Sequence, residues 1–382
     1  MSPQSAFPGW RVVAGSGVGI GFGSAVFIGS SFALLASAIG AQFGWAQTEL
    51  AAGASIFLLM QMVTYPVVGW LLDRFGTLKV AMTSIVLFAL ALAVLSRVAG
   101  ASWQFNAAFF LIGLVSAGTN VVSYARAITH WFDRKRGLAL GVAAGFQALG
   151  SFVMPIVFQK LIATSGWQAA VLALAAFELV ACLPIVATFV KNDPEAHGFH
   201  PDGDADAHVH VHAAGGEPSV REIVRSGTFW KLAVSFLFMG MSFYALITNV
   251  TFILTKSAGL SLEQVALVQA ITGVAVLFGR VGFGWLLDRY SAALVGVLSL
   301  VFAALFYVGY AVGTSFGFIL VAGLIGGMSV GGESDLLPYL AGRYFGKRAV
   351  SKVFGWFLSA YVLGAAIGPV AFAKASAAYG GA

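Results

Sequence analysis

Gly69-Trp70-Leu71-Leu72-Asp73-Arg74 recurs letter for letter as Gly284-Trp285-Leu286-Leu287-Asp288-Arg289, and each copy closes a long apolar run. A hexapeptide repeated half a chain apart marks an internal duplication. The echo continues past it. Trp131-Phe132-Asp133-Arg134-Lys135-Arg136 and Tyr344-Phe345-Gly346-Lys347-Arg348 are basic aromatic turns that each start a further apolar run. Within those runs Gly141, Gly150, Pro155 and Phe158 are matched, at one fixed offset, by Gly355, Gly364, Pro369 and Phe372.

Composition sets the class. Apolar residues make up 59% of the 382 and charged residues only 9%, with 33 Phe and a mean hydropathy of +0.90. A soluble domain of this size could not keep that balance in water, so the chain is expected to be an all-α integral membrane protein. Hydrocarbon about 30 Å thick takes roughly 20 apolar residues per helical crossing. Spans are expected near residues 12–38, 48–72, 78–98, 103–130, 136–163 and 167–190, then 229–255, 262–287, 291–313, 315–342 and 349–378, eleven in all. The polar stretch 191–228, rich in Asp, His and Gly, separates six spans from five. Domains are therefore expected at 1–190 (a six-helix bundle), 191–228 (a linker) and 229–382 (a second, homologous bundle).

Basic residues set the orientation, because Lys and Arg near helix ends are retained in the cytoplasm. Arg74, Lys79, Arg134, Lys135, Arg136, Lys191, Arg221, Arg225, Lys231, Arg289, Arg343, Lys347, Arg348 and Lys352 fall on one side, and the opposite loops hold only Arg97, Lys160, Lys256 and Lys374. The N-terminus and central linker are expected in the cytoplasm, with the protein multi-pass in the plasma (inner) membrane. Met1 to Trp10 lacks a basic segment followed by a short apolar core and cleavage site, and is read as a retained lead into the first span.

Several functions are excluded. The single cysteine, Cys182, allows no disulfide framework and no Cys-based metal site. His197, His200, His208, His210 and His212 in the linker have the alternation that gathers Zn or Ni, but the expectation is a solvated segment without metal, carrying a short amphipathic helix around Val220 to Arg225. There is no phosphate-cradling Gly-Lys-Ser/Thr loop and no His-Cys-Asp constellation at depth, so no enzyme chemistry and no cofactor are expected. The net charge of +6 belongs to the cytoplasmic turns and calls for no nucleic-acid partner.

Gly69 to Gly76 resembles the Gly-x-x-x-Asp-Arg-x-Gly signature of the major facilitator superfamily, and the resemblance extends over essentially the whole chain. Pro8-Gly9-Trp10-Arg11-Val12-Val13 before the first span, Trp131 to Gly141 entering the fifth, and Arg280 in the eighth are similar to its monocarboxylate transporter and oxalate/formate antiporter branch. The resemblance implies two pseudo-symmetric six-helix bundles with a substrate path between them, near the bilayer midplane. Family members have twelve spans, whereas this sequence stops at Ala382 after Tyr379-Gly380-Gly381, so the last helix is expected to be missing by truncation rather than by design.

Arg280 stands out among the site candidates. A guanidinium well inside an apolar span costs roughly 2.5–3.5 kcal/mol on insertion scales, which implies a partner. One reading is a substrate carboxylate, matched bidentately by the planar fork of donors. The other is a permanent ion pair with Glu333 or Asp335 of a neighbouring span. These two acids are also proton-coupling candidates, since a carboxyl in low dielectric can carry a proton, and Asp335 equally suits a gating contact with the basic turn at Arg343. Glu178 in span six reads as a packing or lipid-interface acid. Gly273, Gly279, Gly282 and Gly284 would permit close helix approach around Arg280. Ser116, Asn120 and Tyr124 are spaced i, i+4, i+8 and are expected to share one cavity-lining face of span four.

Family comparison adds three expectations. Tyr361 falls where oxalate-type relatives carry a second cation, which predicts a singly charged substrate. The stretch from Ser24 to Ile28 lacks the lysine of the animal carriers, and Val276 replaces the aspartate they place one turn before the arginine, so the usual proton relay is absent. Asp73 and Arg74, with their repeats Asp288 and Arg289, are expected in cytoplasmic turns as gating residues, Asp73 bracing the N-terminal end of a facing helix. The function expected is transport of a small monocarboxylate by alternating access, as proton symport or anion exchange. A multidrug exporter of the same fold, or a non-transporting sensor, is the alternative. The partners are the carboxylate, H+ as a candidate co-substrate, and the bilayer.

Overall fold

In the computed structural model the described residues are 7–203, 220–256, 258–345 and 350–378. Every long element among them is helical, as apolar segments in lipid must be if their backbone groups are to be satisfied internally. The first half comprises α1 (Gly9–Phe43), α2 (Gln47–Phe75), α3 (Thr77–Leu95), α4 (102–131), α5 (136–165) and α6 (167–189). The second comprises α7 (Gly227–Lys256), α8 (Leu262–Arg289), α9 (Ala292–Val312), α10 (Phe316–Phe345) and α11 (Val350–Ala378). Among the described residues nine helices are long and apolar enough to cross a membrane. One of them, Arg136–Phe189, is two crossings that meet at Gly166 (φ 84°, ψ 164°), a conformation that favours glycine. With the broken α4 added, the described residues hold the eleven spans expected from sequence, with ends shifted by a few residues. The short linker helix falls at Val220–Arg225, as expected.

α4 departs from a continuous rod. It is helical over Ser102–Val115 and Val121–Trp131, but Ala117–Thr119 forms a single tight turn and Asn120 is extended (φ −98°, ψ 173°). The i, i+4, i+8 face expected for Ser116, Asn120 and Tyr124 is therefore not formed. Side chains at the break tie it to α1 and α2, and they accept the backbone N–H groups left open after the extended Gly23 of α1. Asn120 Oδ1 accepts from Ala25 N (3.1 Å), Thr119 Oγ1 accepts from Ser24 N (3.1 Å), and Gln61 Nε2 donates to Ser116 Oγ (3.1 Å).

The duplication is legible in the packing. Gly150 of α5 lies against Gly21 of α1, and its counterpart Gly364 of α11 lies against Leu237 of α7. Peripheral helices α3, α6 and α9 expose Leu90, Val180 and Leu300, the pattern of a lipid-facing surface.

Two glycine-mediated crossings join the halves. Gly137 and Gly141 of α5 seat the backbone of Gly284 and Arg280 on α8, and Gly69 of α2 and Gly355 of α11 seat Ser351 and Tyr65 in the same way. Of the four glycines expected to allow close approach on α8, Gly279 packs on Met328 and Gly284 on Gly137, whereas a Cβ at Gly273 or Gly282 would meet nothing within 4 Å. Both crossings lie between mid-span and the end of the molecule that carries the basic turns. Further along α5, Leu149, Phe152 and Ile156 continue the helical stripe of Gly141 and Gly145 that packs on α8 yet are exposed, so the two helices part and a cleft opens toward the other end.

Candidate functional site

Arg280 lies at the floor of that cleft, only 8% exposed, on the face of α8 turned toward the first half. Its Nη2 donates to Gln147 Oε1 of α5 across the interface (3.1 Å). Register explains the pairing. Arg280 stands four residues before Gly284, as Tyr65 stands four before Gly69; Gln147 stands six after Gly141, as Tyr361 stands six after Gly355. The duplication thus sets Arg280 and Gln147 on one crossing, and Tyr65 and Tyr361 on the other. Arg280, Glu333, Tyr244 and Tyr307 lie within electrostatic range of Tyr361, and the Tyr244 ring meets it at 6.3 Å between centroids. Tyr65 closes the group from the first half, its hydroxyl accepting from Asn120 Nδ2 (3.2 Å).

The other expected site residues are more dispersed. Asn120 is buried in the first bundle, where its Nδ2 also donates to Gln61 Oε1 (3.2 Å), so it holds Tyr65 rather than facing the cleft directly. Tyr124 is fully buried, its hydroxyl turned toward Gly19 of α1. Glu178, one of whose readings placed it at the lipid interface, is instead 1% exposed inside the first half, in a wide helical turn over Glu178–Cys182. Glu333 is half-buried and accepts the Ser329 hydroxyl at 3.1 Å. Asp335 belongs to α10, but its side chain is outside the described residues, as are His208, His210, His212, Lys347 and Arg348. Among the described residues no group of three or more His, Cys, Asp or Glu is placed to hold a metal.

At the basic end the repeated Asp-Arg pairs lie in the last helical turns of α2 and α8 rather than in loops, with Gly76 (φ 80°) ending α2. Asp288 reaches across the interface and accepts Gly137 N at 2.6 Å and Leu138 N at 2.8 Å, capping the start of α5 with negative charge where the helix dipole is positive. Asp73 approaches the equivalent start of α11, with Lys352 Nζ at 3.4 Å and Arg126 Nε of its own half at 3.9 Å. Arg74 and Arg289 are turned aside, stacked over Trp70 (5.4 Å) and Trp285 (4.1 Å). The linker reinforces this end. Asp202 accepts Asp133 N (3.0 Å) and Arg134 N (2.7 Å), Asn192 Oδ1 accepts Leu78 N (3.0 Å), and Asp193 Oδ1 lies 2.7 Å from His130 Nδ1.

Two equivalent crossings thus join two duplicated halves, with Arg280 on one of them and aspartates of the repeated motif at the basic end, and the Major Facilitator Superfamily profile matches residues 16–369. The chain belongs to the Major Facilitator Superfamily. Among curated proteins, this superfamily member is 27% identical over 252 residues to the probable sulfoacetate transporter SauU of Cupriavidus necator, covering 64% of this chain and 56% of that protein. It is 26% identical over 281 residues to monocarboxylate transporter 12 of Rattus norvegicus, covering 66% and 57%. The alignments thus span a little over half the length of these relatives. Among solved structures, the human organic anion transporter MFSD10 superposes with a TM-score of 0.71 at 16% identity over 98% of this chain and 95% of that one, a likeness of fold. These proteins are named as transporters, and the superfamily is one of membrane transport rather than catalysis.

Gln147, Tyr65, Tyr244 and Gln61 were not singled out from sequence. The signal for the first two was present in the repeat register. Tyr244 and Gln61 carry no such mark, since a lone Tyr or Gln in an apolar span has many uses.

Proposed function

We propose that this chain moves a small monocarboxylate across the membrane by alternating access, with Arg280 as the carboxylate receptor. The observation that carries this is the guanidinium itself: buried within a span, at the floor of a cleft, on the seam between two halves. A planar fork of donors suits a carboxylate in two parallel bonds, and Gln147 holds one edge of it in place. Tyr361 and Tyr65 supply hydroxyls rather than a second positive charge, which favours a singly charged acid. The names of the similar proteins, a monocarboxylate transporter and a sulfoacetate transporter, favour a small organic anion.

Residues 1–190 and 229–382 are the two rocking bodies and 191–228 the linker between them. By the bias of Lys and Arg, the basic end, the N-terminus and the linker are cytoplasmic, in the plasma membrane. The conformation described is then outward-open, latched by Asp288 on α5 and Asp73 on α11. Glu333 is the proton-coupling candidate among the described side chains, within electrostatic range of both Tyr307 and Tyr361.

The test is counterflow of labelled carboxylates in proteoliposomes, with and without a pH gradient. Uptake of monocarboxylates, displaced by other anions and not by lipophilic cations, is the expected result. Preference for lipophilic cations would assign the chain to drug export instead.

A further inference from the structure

A chamber of about 150 Å³ opens in the second half, and its lining residue Val276 stands one helical turn before Arg280 on α8. Its walls are Phe243, Leu246, Val250, Val276, Phe306 and Tyr310, drawn from α7, α8 and α9. Its position relative to the cation is fixed by helical register. Arg280, Val276, Gly273 and Gln269 fall at spacings of four, three and four, one continuous stripe on α8. At about 1.5 Å per residue, the chamber begins roughly 6 Å from the Arg280 backbone level and extends toward the open end of the cleft.

Polar groups at its rim are already engaged. Thr272 Oγ1 donates to Val268 O within its own helix (2.8 Å), and Gln269 Nε2 donates to Thr251 Oγ1 of α7 (3.3 Å), bridging the outer end of the chamber. What remains is a largely apolar space one turn along α8 from Arg280. Cavities of about 150 Å³ lined by Leu, Ile and Phe accept a benzene ring. Gly273 keeps the space free, since a Cβ there would meet nothing within 4 Å.

We propose that this chamber receives the hydrocarbon body of the substrate while Arg280 holds its carboxylate, so that the preferred cargo is a monocarboxylate bearing a ring or a branched apolar group rather than formate, acetate or a dicarboxylate. This rests on Arg280 acting as the carboxylate receptor. It adds a second determinant, apolar fill, that selects among acids the cation alone would treat alike. A dicarboxylate is disfavoured because its second charge would be forced into a chamber walled largely by apolar side chains.

The experiment uses the full chain in proteoliposomes, with acetate and phenylacetate as paired probes. In the wild type, phenylacetate is carried in preference to acetate, and competition by unlabelled acids strengthens as the apolar group grows to one ring and weakens beyond it. Gly273→Leu fills the chamber from a position with room for the side chain and improves local helix propensity. It lowers the phenylacetate-to-acetate ratio by about tenfold, the order at which apolar pockets discriminate. A wild type that carries both acids equally, or a ratio that Gly273→Leu leaves where it was, overturns the proposal. The wild-type competition series decides should the variant fail to insert. A chain that carries no carboxylate at all contradicts the transport function itself, a result distinct from equal carriage of the two probes.

Discussion

Asp288→Ala should open the basic end of the protein. In the conformation described, the Asp288 carboxylate accepts two backbone N–H groups of α5 at 2.6 and 2.8 Å, and both bonds cross between the halves. They exist only while this end is closed. A charge-assisted hydrogen bond contributes about 1.5–3 kcal/mol, and the cap position adds a favourable dipole contact. Asp288 is half-buried, so water replaces much of this on opening. Losing these bonds should cost the closed state about 2 kcal/mol relative to the open one, a shift of about 30-fold in the equilibrium. A protein resting about 95:5 closed to open would move to about 40:60. Asp288→Asn keeps one acceptor and loses the charge, so its shift should be about fivefold. The assay is the distance distribution between spin labels at Phe75 and Tyr344, exposed positions at the basic ends of α2 and α10 in opposite halves. The native thiol, Cys182, is buried and leaves these labels unambiguous. Expected is a longer-distance population growing in the order wild type, Asn, Ala. Identical distributions in all three would refute the latch.

Gly141→Leu places a side chain against the Arg280 backbone, so α5 and α8 cannot close; the label distance should lengthen and uptake fall by about tenfold or more, given overpacking costs of about 1–3 kcal/mol. Asp202→Ala frees the backbone N–H groups of Asp133 and Arg134, and hydrogen exchange at those amides should rise about tenfold while the interior of α4 stays protected; equal protection would show the linker contact to be idle. Glu333→Gln should abolish stimulation of uptake by an inward proton gradient while counterflow persists, and retained stimulation would remove Glu333 from proton coupling.

Much of the fold was legible because lipid leaves so few choices. An apolar run of some 20 residues must be a helix, and the repeated Gly-Trp-Leu-Leu-Asp-Arg marks the duplication. Arg280 was legible for the same reason, since charge at depth is costly. The break in α4 was not. Nothing in Ser116 to Asn120 forbids helix locally, and the extended Asn120 is held by Ser24, Ala25 and Gln61 from distant helices, which spacing within α4 cannot reveal. Glu178 was hard to place for a similar reason: an acid in an apolar span has no facing until the bundle is assembled. The Asp288 cap was foreseen in kind for its repeat Asp73, yet Asp73 meets a lysine side chain where Asp288 meets bare backbone.

Equilibrium binding of a labelled monocarboxylate to the purified protein, compared between wild type and Arg280→Lys, bears most directly on the buried guanidinium. Lysine keeps the charge and loses the fork, so affinity should weaken by roughly 10- to 100-fold with thermal stability retained. Unchanged affinity in the lysine variant, or in Arg280→Ala, would mean that the carboxylate is received elsewhere.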